Sequence, residues 1–314
     1  MITIEQYRPS FKGEWDASVR NSRNGTFLHL RDYMDYHSDR FTDFSLMARD
    51  GGNVIAVLPA CREGETLYSH RGLTYGSWLL PLRHFDVTTM LELWELSLRF
   101  LRKSGITSIV YKPVPHIYHR YPCEDDLYAV FRAGGTLIES NISTTIDLDE
   151  PLALDRGNRR NVNLALKSGV VVGESVDWDG YWHVLDELLM SKYGKHPVHT
   201  LDEIKLLQSR FPENIKLYTA TCEEELMAGV VMYCCGNEVA HCQYIASTEA
   251  GRRVKALTLL FSYLIKEMSQ VGFRYFDFGI STEQGGHYLN EGLVRQKSRL
   301  GGRGIVYNTY RVDI

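Results

Sequence analysis

Segment 275–302 combines side chains that do chemistry with three changes of local pattern. It begins as an apolar strand that ends in Asp277-Phe278-Gly279, continues as a polar, glycine-bearing loop with Ser281 and Glu283, and closes with a helix that carries Lys297. A scaffold has little use for such a loop after a buried strand, whereas binding and catalytic residues are often carried on loops. The pattern therefore predicts a ligand site at the carboxyl end of this strand.

The bulk composition is that of a globular protein with two domains. The chain has 314 residues, of which 44% are hydrophobic and 24% are charged, and a single core rarely serves a chain of this length. The net charge of −4 lies in residues 1–150, and residues 151–314 are neutral overall. This balance disfavours a general nucleic-acid binder, because a polyanion would meet only a local cluster of cations.

The sequence carries no pattern typical of export, membrane insertion or metal binding. Its first residues, MITIEQYRPSFKGEWD, resemble neither a signal peptide nor an anchor, and no apolar run reaches the length of a membrane span. The six cysteines show no CxxC or CxxH spacing, which indicates reduced thiols. We therefore expect a cytoplasmic protein without a membrane span and without a bound metal.

The second half of the chain predicts a mixed sheet with a long crossover helix. The expected elements are a strand at 169–176, helices at 178–194 and 200–211, strands at 214–222, 225–235 and 238–246, a helix at 251–272, a strand at 273–279, a helix at 289–301 and a strand at 304–312. The three middle strands are joined by turns too short for crossovers, so they form an antiparallel meander. This order predicts an α+β fold with a mixed sheet.

The first half repeats this order loosely. The expected elements are a strand at the N-terminus, a helical region at 13–40, a meander over 44–50, 53–62 and 65–70, a core helix at 87–105, a strand after it, a helix at 123–135 and a strand at 136–148. Two copies of one module joined near residue 150 explain both the length and the pattern. We expect domains at 1–150 and 151–314.

Three motifs resemble those of a known family. The stretch NRRNVNLALKSGV carries Arg160 and its following asparagine, YFDFG ends a strand in Asp-Phe-Gly, and LNEGLVRQKSRLGG is similar to an Asn-x-Gly-Leu helix that ends in a lysine before Phe-Gly. Leu300 replaces the phenylalanine of that last motif. With the element order, these motifs resemble tandem GNAT acyltransferases of the FemAB-like or BioF2-like group. The organisation covers essentially the whole chain, and the motifs lie in 156–169 and 241–302.

The resemblance implies a catalytic role for Lys297. In ordinary GNAT enzymes a tyrosine seven residues after a helix asparagine reprotonates the departing thiolate, and seven residues after Asn290 stands Lys297. A fixed ammonium stabilises charge that develops when an amine attacks a thioester or ester, by roughly 3 kcal/mol per well-placed donor. The alternative is an ordinary solvated lysine. We expect Lys297→Ala to lower turnover at least tenfold and to leave thermal stability nearly unchanged.

The resemblance also implies acyl-CoA as the donor substrate. GNAT enzymes bind its pyrophosphate on backbone N–H groups of an Arg/Gln-x-x-Gly-x-Gly/Ala loop at a helix N-terminus. This chain places Arg253 at the first position and Ala256 where the first glycine belongs, so the loop departs from the family pattern. Arg252, Arg253 and Lys255 would put three cations at the start of the predicted helix, where phosphates bind.

An acceptor amine has to lose a proton, and several side chains are candidates for the base. They are His241 on the meander, Asp277, Glu283, and the two histidines of KHPVHT, His196 and His199. A histidine suits this task near neutral pH. The alternatives stay open, since a single histidine is often a surface or core residue and Asp277 also fits a turn carboxylate.

The acceptor site is predicted from residues in both halves. Family analogy gives acceptor binding to the first module and catalysis with donor binding to the second. In YSHRGLTYGSW, His70 and Arg71 are candidates for acceptor contacts, and the alternative interpretation of this segment is an ordinary glycine-rich turn. The candidates for substrate binding are His196, His199, Tyr244, Ser281, Asn290, Arg160, His70 and Arg71.

Three functions remain open on the sequence. The first is an N-acyltransferase that moves an acyl group from acyl-CoA to an amine of a small molecule, a sugar or a cell-envelope precursor. The second is a Fem-type transferase that uses aminoacyl-tRNA to modify peptidoglycan, which the neutral second half and the lack of a long charged arm disfavour. The third is a non-catalytic GNAT-like ligand-binding protein, which the atypical loop favours.

Overall fold

The structure is a computed structural model that describes residues 1–236 and 238–314. Its strands are β1 Ile2–Gln6, β2 Thr42–Asp43, β3 Leu46–Asp50, β4 Asn53–Leu58, β5 Cys61–Glu63, β6 Thr66–Tyr68, β7 Ser108–Tyr111, β8 Thr136–Asp147, β9 Val171–Ser175, β10 Ile215–Cys222, β11 Glu225–Cys235, β12 Val239–Ser247, β13 Tyr275–Ile280, β14 Thr282–Glu283, β15 Tyr288–Leu289 and β16 Arg303–Asp313. Its helices are α1 Lys12–Asn21, α2 Arg31–Met34, α3 Val87–Lys103, α4 Asp125–Arg132, α5 Arg156–Lys167, α6 Trp178–Tyr193, α7 Leu201–Arg210, α8 Glu249–Val254, α9 Ala256–Val271 and α10 Glu291–Arg299.

The chain folds into two compact units, and each unit includes short segments that the sequence pattern assigns to the other module. The first unit comprises Met1–Asn141, Glu283–Tyr288 and Val306–Ile314. The second comprises Ile142–Thr282 and Leu289–Ile305. The last part of β8 therefore belongs to the second unit, although the sequence pattern assigns the whole strand to the first module.

The first unit contains an antiparallel sheet of order β1-β3-β4 and a second set of strands that follows β2-β5-β6-β7. Pairing of β6 with β7 is parallel and that of β7 with β16 is antiparallel. Helix α3 starts at the cap Asp86, whose carboxylate accepts a hydrogen bond from Thr89 N at 2.9 Å. Its buried face includes Leu93 and Trp94, as the sequence predicts for a core helix.

The second unit contains a mixed sheet of order β8-β13-β12-β11-β10-β9. Strands β9 to β12 form the expected antiparallel meander, β13 pairs in parallel with β12, and β8 pairs antiparallel with β13. This arrangement confirms the α+β prediction and its mixed sheet. A parallel neighbour requires a crossover connection, which α8 and α9 provide.

Helices cover both faces of this sheet. On one face α5 and α9 bury residues such as Ala165 and Leu260 against Phe276 and Phe278 in one core cluster. On the other face α6 packs against β11 and β12. The described helices include none that is both long and apolar enough to cross a membrane.

One predicted helix is two helices in the structure. The sequence pattern indicates a single helix over 251–272, but α8 ends at Val254 and α9 begins at Ala256. Lys255 between them has a φ of +63°, in the left-handed region, which interrupts the helix. The prediction of a single helix was wrong because no glycine or proline marks the break.

Candidate functional site

The parallel strands β12 and β13 separate at a point that we call the fork. Their pairing runs from Val239 and Tyr275 to His241 and Asp277, and no later residue pair continues it. Beyond the fork, β12 has an irregularity in its pairing with β11, and β13 has one in its pairing with β8. Bulges bend a strand and increase its twist, so the side chains at the fork lie where the sheet opens.

Glycine is required at the irregularity of β13. Asp277 pairs with Thr145 and Ile280 pairs with Ser143, so two residues of β13 stand opposite one of β8. One of the two, Gly279, has a φ of +77°, a conformation that a residue with a Cβ adopts only at a cost. The bulge directs the chain of β13 away from β12.

A histidine and an aspartate form a hydrogen-bonded dyad at the fork. Nδ1 of His241 lies 2.6 Å from Oδ2 of Asp277. The other carboxylate oxygen, Oδ1, accepts hydrogen bonds from Ser143 Oγ at 2.6 Å and from Thr145 Oγ1 at 2.7 Å. Asp277 is fully buried, and the side chain of His241 is 12% exposed. The two hydroxyl groups on β8 thus hold the carboxylate of Asp277 in place, and this carboxylate orients the ring of His241.

The environment keeps Asp277 ionised. Burial alone would raise the pKa of this carboxyl, but the hydrogen bond and charge of His241 and the two hydroxyl donors outweigh burial and hold the pKa below its usual value. An ionised carboxylate only accepts hydrogen bonds. We therefore assign the proton of the dyad to Nδ1 of His241, which leaves the lone pair of the neutral ring on Nε2.

Lys297 is a buried residue that holds the end of β13. Its Nζ donates hydrogen bonds to Gly279 O at 2.7 Å, to Ile280 O at 3.0 Å and to Ser281 Oγ at 2.9 Å. Burial lowers the pKa of Lys297 to about 8, against an opposing effect of the nearby Asp277 charge. The alternative of a solvated helix lysine is therefore excluded by the structure.

Asn290 and Ser281 connect the loop to helix α10. The backbone N–H of Asn290 donates to Ser281 O at 2.9 Å. The side chain of Asn290 caps α10, because its Oδ1 accepts from Leu293 N at 3.0 Å. Ser281 is buried and contacts Lys297. These two predicted binding residues therefore position α10 and its lysine.

The two histidines of KHPVHT lie in different environments. His199 is buried, with Nδ1 at 2.6 Å from Tyr244 Oη, and Trp182 packs edge-on against the tyrosine ring. Burial raises the pKa of Tyr244 to about 12. His196 is exposed and lies 2.7 Å from Asp186. The structure thus joins His199 to Tyr244 and leaves His196 at the surface.

The predicted donor loop is a short helix with its cations at the C-terminal end. Arg252 and Arg253 lie in the last turn of α8, which corrects the expectation that they begin a long helix. Arg252 donates to Ser247 O at 2.9 Å, and Arg253 forms an exposed ion pair with Glu249. Ala256, the first residue of α9, is buried, and Lys255 before it is exposed.

The remaining predicted site residues are not among the described hydrogen-bond partners of His241 and Asp277. His70 is buried in the first unit, and burial lowers its pKa to about 3. Arg71 forms an ion pair with Glu63 there. Glu283 is exposed and grouped with the first unit, and Arg160 is exposed on α5. For His70, burial disfavours the predicted direct contact with an acceptor.

Sequence reasoning missed Ser143 and Thr145. Both lie on β8, and both donate to Asp277. Their spacing of two residues puts them on one face of a strand, and this pair of polar side chains on the predicted strand was an available signal. Their partner is more than 130 residues away in sequence, so the contact itself was not predictable.

Among residues 1–236 and 238–314, the structure places no group of three or more His, Cys, Asp and Glu side chains that would hold a metal ion. The described side chains at the fork include the imidazole of His241, the buried carboxylate of Asp277 and the buried side chain of Lys297.

Comparison with known proteins identifies the domain and the fold. Residues 159–288 match the family model described as the acetyltransferase (GNAT) domain. FemX has a TM-score of 0.69 and 13% identity over 99% of this chain and 97% of its own. L-PGS from Bacillus licheniformis has a TM-score of 0.64 and 13% identity over 96% and 91%.

A third similar structure is itself a tandem protein. The tandem GNAT protein from the clavulanic acid biosynthesis pathway has a TM-score of 0.53 and 12% identity, over 100% of this chain and 98% of its own. No curated protein sequence matches this chain. At these identities the structures establish the fold, and this fold confirms the predicted tandem GNAT organisation.

We expect Lys297→Ala to lower the free energy of unfolding by about 1–3 kcal/mol, because two part-buried carbonyls and the buried Ser281 hydroxyl would lose a charged donor. This revises the expectation of unchanged stability, which assumed an exposed side chain. Thermal unfolding measures the change, and Lys266→Ala on the exposed face of α9 is the matched control. Equal melting temperatures for both variants would show that the hydrogen bonds of Lys297 do not stabilise the fork.

Proposed function

We propose that this chain, which has the tandem GNAT fold and carries a GNAT acetyltransferase domain, is an acyltransferase that moves an acyl group from acyl-CoA to an amine. The observation that carries this proposal is the dyad of His241 and Asp277 at the fork. A buried aspartate that orients a histidine is the arrangement by which enzymes prepare a general base.

The first step is attack of the acceptor amine on the thioester carbonyl. As the C–N bond forms, Nε2 of His241 takes the proton that the amine nitrogen loses. The imidazolium that results is stabilised by the ionised Asp277, which keeps its own charge because Ser143 and Thr145 hold it. The dyad thus lets the reaction use the neutral amine near neutral pH.

The second step is departure of the thiolate as the C–S bond breaks. Ser281 Oγ accepts a hydrogen bond from Lys297, so its own hydroxyl proton is available to the thiolate, while Lys297 supplies a proton to Ser281. An ammonium with a pKa of about 8 matches a thiol, whose ordinary value is about 8.5. The amine proton on His241 then returns through solvent to Lys297, which restores the enzyme.

The acceptor is an amine of a small molecule, an amino sugar or a cell-envelope precursor. The fold shared with FemX supports an envelope precursor. We assign the main part of acceptor binding to the first module, residues 1–150, and we assign donor binding to Arg252, Arg253 and Lys255 in the second module, residues 151–314, which also contributes to the acceptor site. His199 and Tyr244, joined by a hydrogen bond, are proposed as the wall of the acceptor site next to α6.

We expect His241→Gln to lower kcat/KM by a factor of about 100 or more, since a positioned general base contributes roughly 10²–10⁴-fold. The assay measures thiol release from acyl-CoA with a panel of amines at pH 7. His183→Gln is the control, because His183 is exposed on α6 and pairs only with Glu187 among the contacts described for it.

Two results would bear directly on this role. Loss of activity in His241→Gln that is regained at high pH, where the amine is already neutral, supports the base. Equal activity of the His241 and His183 variants at neutral pH would remove His241 from the mechanism.

A Fem-type transferase that uses aminoacyl-tRNA is the second candidate. The similarity to FemX and the replacement of a glycine-rich loop by α8 favour it. The same dyad would serve an ester donor, with a ribose hydroxyl in place of the thiol as the leaving group. The two donors differ in what has to bind near Arg252 and Lys255.

Thermal-shift titration distinguishes the donors. We expect acetyl-CoA or a longer acyl-CoA to stabilise the folded state, by about 2.7 kcal/mol at one hundred times Kd. The Arg252→Gln/Lys255→Gln variant should reduce this shift and Lys266→Gln should not. The control ligand is adenosine 3′,5′-bisphosphate. No shift at millimolar acyl-CoA would contradict the acyl-CoA donor and favour aminoacyl-tRNA.

A further inference from the structure

Helix α5 presents an unusually basic surface in a unit that is nearly neutral. The sequence of Arg156–Lys167 contains three arginines and a lysine and no acidic residue. Arg156, Arg159, Arg160 and Lys167 are all exposed. In the described parts of the chain, 1–236 and 238–314, no carboxylate forms an ion pair with any of these four side chains. Their charge is therefore directed to solvent.

A groove with three further arginines adjoins the start of α5. It has a volume of about 570 Å³, and its walls are formed by the segment before α5 and the last part of α10. Asp155, the cap of α5, lines it and lies 3.7 Å from Arg299. Its lining residues are Leu152, Ala153, Asp155, Arg295, Ser298, Arg299, Gly301 and Arg303.

Hydrogen bonds fix the groove to the helix. Asn158 Nδ2 donates to Arg299 O at 3.0 Å, and Asn158 N donates to Asp155 Oδ1 at 2.6 Å. Arg303 donates to Gly302 O at 2.7 Å, which holds its guanidinium beside the end of α10. Arg295 forms an ion pair with Glu291 on α10. We call the surface that carries the four cations of α5 and the three arginines of the adjoining groove the basic face.

Leucines are interleaved with these cations. Leu164 and Leu166 on α5 are 45% and 56% exposed, and Leu152 in the groove is 51% exposed. On a helix, Leu164 lies next to Arg160 and Lys167, its neighbours at i−4 and i+3. A surface that served solvation alone would not place large exposed leucines beside α5 cations that have no ion-pair partner among the described residues.

We propose that the basic face docks this enzyme on the surface of an anionic lipid bilayer. Exposed cations are attracted to acidic headgroups, and exposed leucines enter the boundary between headgroups and acyl chains. A phosphodiester chain also attracts arginines but offers no apolar phase for Leu152, Leu164 and Leu166, so the leucines favour a membrane over RNA. The docking is peripheral and adds to the catalytic proposal without depending on it.

Vesicle co-sedimentation tests this docking on the full-length protein. The probe is a phosphatidylcholine vesicle with or without about a third of phosphatidylglycerol. We expect binding to the anionic vesicles that falls with added salt, because surface charges are screened. Reversing three cations in Arg156→Glu/Arg159→Glu/Arg303→Glu should weaken binding at least tenfold, since each cation near the surface contributes.

The matched control reverses three cations elsewhere. Arg99, Arg102 and Lys103 are exposed on α3 in the first unit, and their change to glutamate alters net charge by the same amount. Thermal unfolding verifies that each variant is folded. Equal loss of vesicle binding in both triple variants, or no binding of the wild type at low salt, would overturn the proposal.

The leucines separate a membrane from RNA. We expect Leu164→Ser/Leu166→Ser to weaken binding to anionic vesicles severalfold and to leave binding of a single-stranded polyuridine unchanged. If polyuridine binds more tightly than the vesicles and the serine variant binds vesicles like the wild type, the basic face is a nucleic-acid surface and the membrane proposal is wrong.

Discussion

The arrangement of the fork depends on one buried carboxylate that has to remain charged. Placing an ionised aspartate in a protein core costs several kcal/mol unless hydrogen bonds and an opposite charge compensate. Asp277 receives hydroxyl donors from Ser143 and Thr145 and a ring N–H from His241. These three donors come from two neighbouring strands, one parallel and one antiparallel to β13. The mixed topology of the sheet is therefore what makes the dyad possible.

The second requirement is the bulge that follows the carboxylate. Gly279 forms a bulge in the ladder between β13 and β8, and the part-buried carbonyls of Gly279 and Ile280 need donors. Lys297 supplies them with one ammonium. The same burial that makes this lysine a structural clamp also lowers its pKa to about 8, a value suited to proton transfer at physiological pH. Structure and proposed chemistry thus use the same side chain.

Much of the fold and part of the site were predictable from the sequence. Apolar periodicity predicted the meander and its flanking helices. The spacing of seven residues between Asn290 and Lys297 singled out this lysine on α10. His241 and Asp277 were both candidates, but only as alternatives. Their pairing depends on the register of two parallel strands joined by a long crossover, and no local pattern specifies that register. The hydrogen-bond donors Ser143 and Thr145 on β8 are separated from Asp277 by more than 130 residues of sequence.

The failures have equally physical causes. The break at Lys255 has no glycine or proline to signal it, because a lysine adopts the left-handed conformation there. The burial of Lys297 was not predictable, because helix position alone does not report which carbonyls lie opposite its ammonium. His70 is in a glycine-bearing segment typical of a binding loop, yet its ring is buried among aromatic neighbours that include His37 and Phe41.

The tautomer of His241 is the most direct test of the account, since the base requires its lone pair on Nε2. Nitrogen-15 NMR of the imidazole, assigned by comparison with the His241→Gln variant, measures which ring nitrogen carries the proton. We predict that the neutral ring carries its proton on Nδ1 and leaves Nε2 unprotonated. A neutral His241 with its proton on Nε2 would contradict the dyad and the base that rests on it.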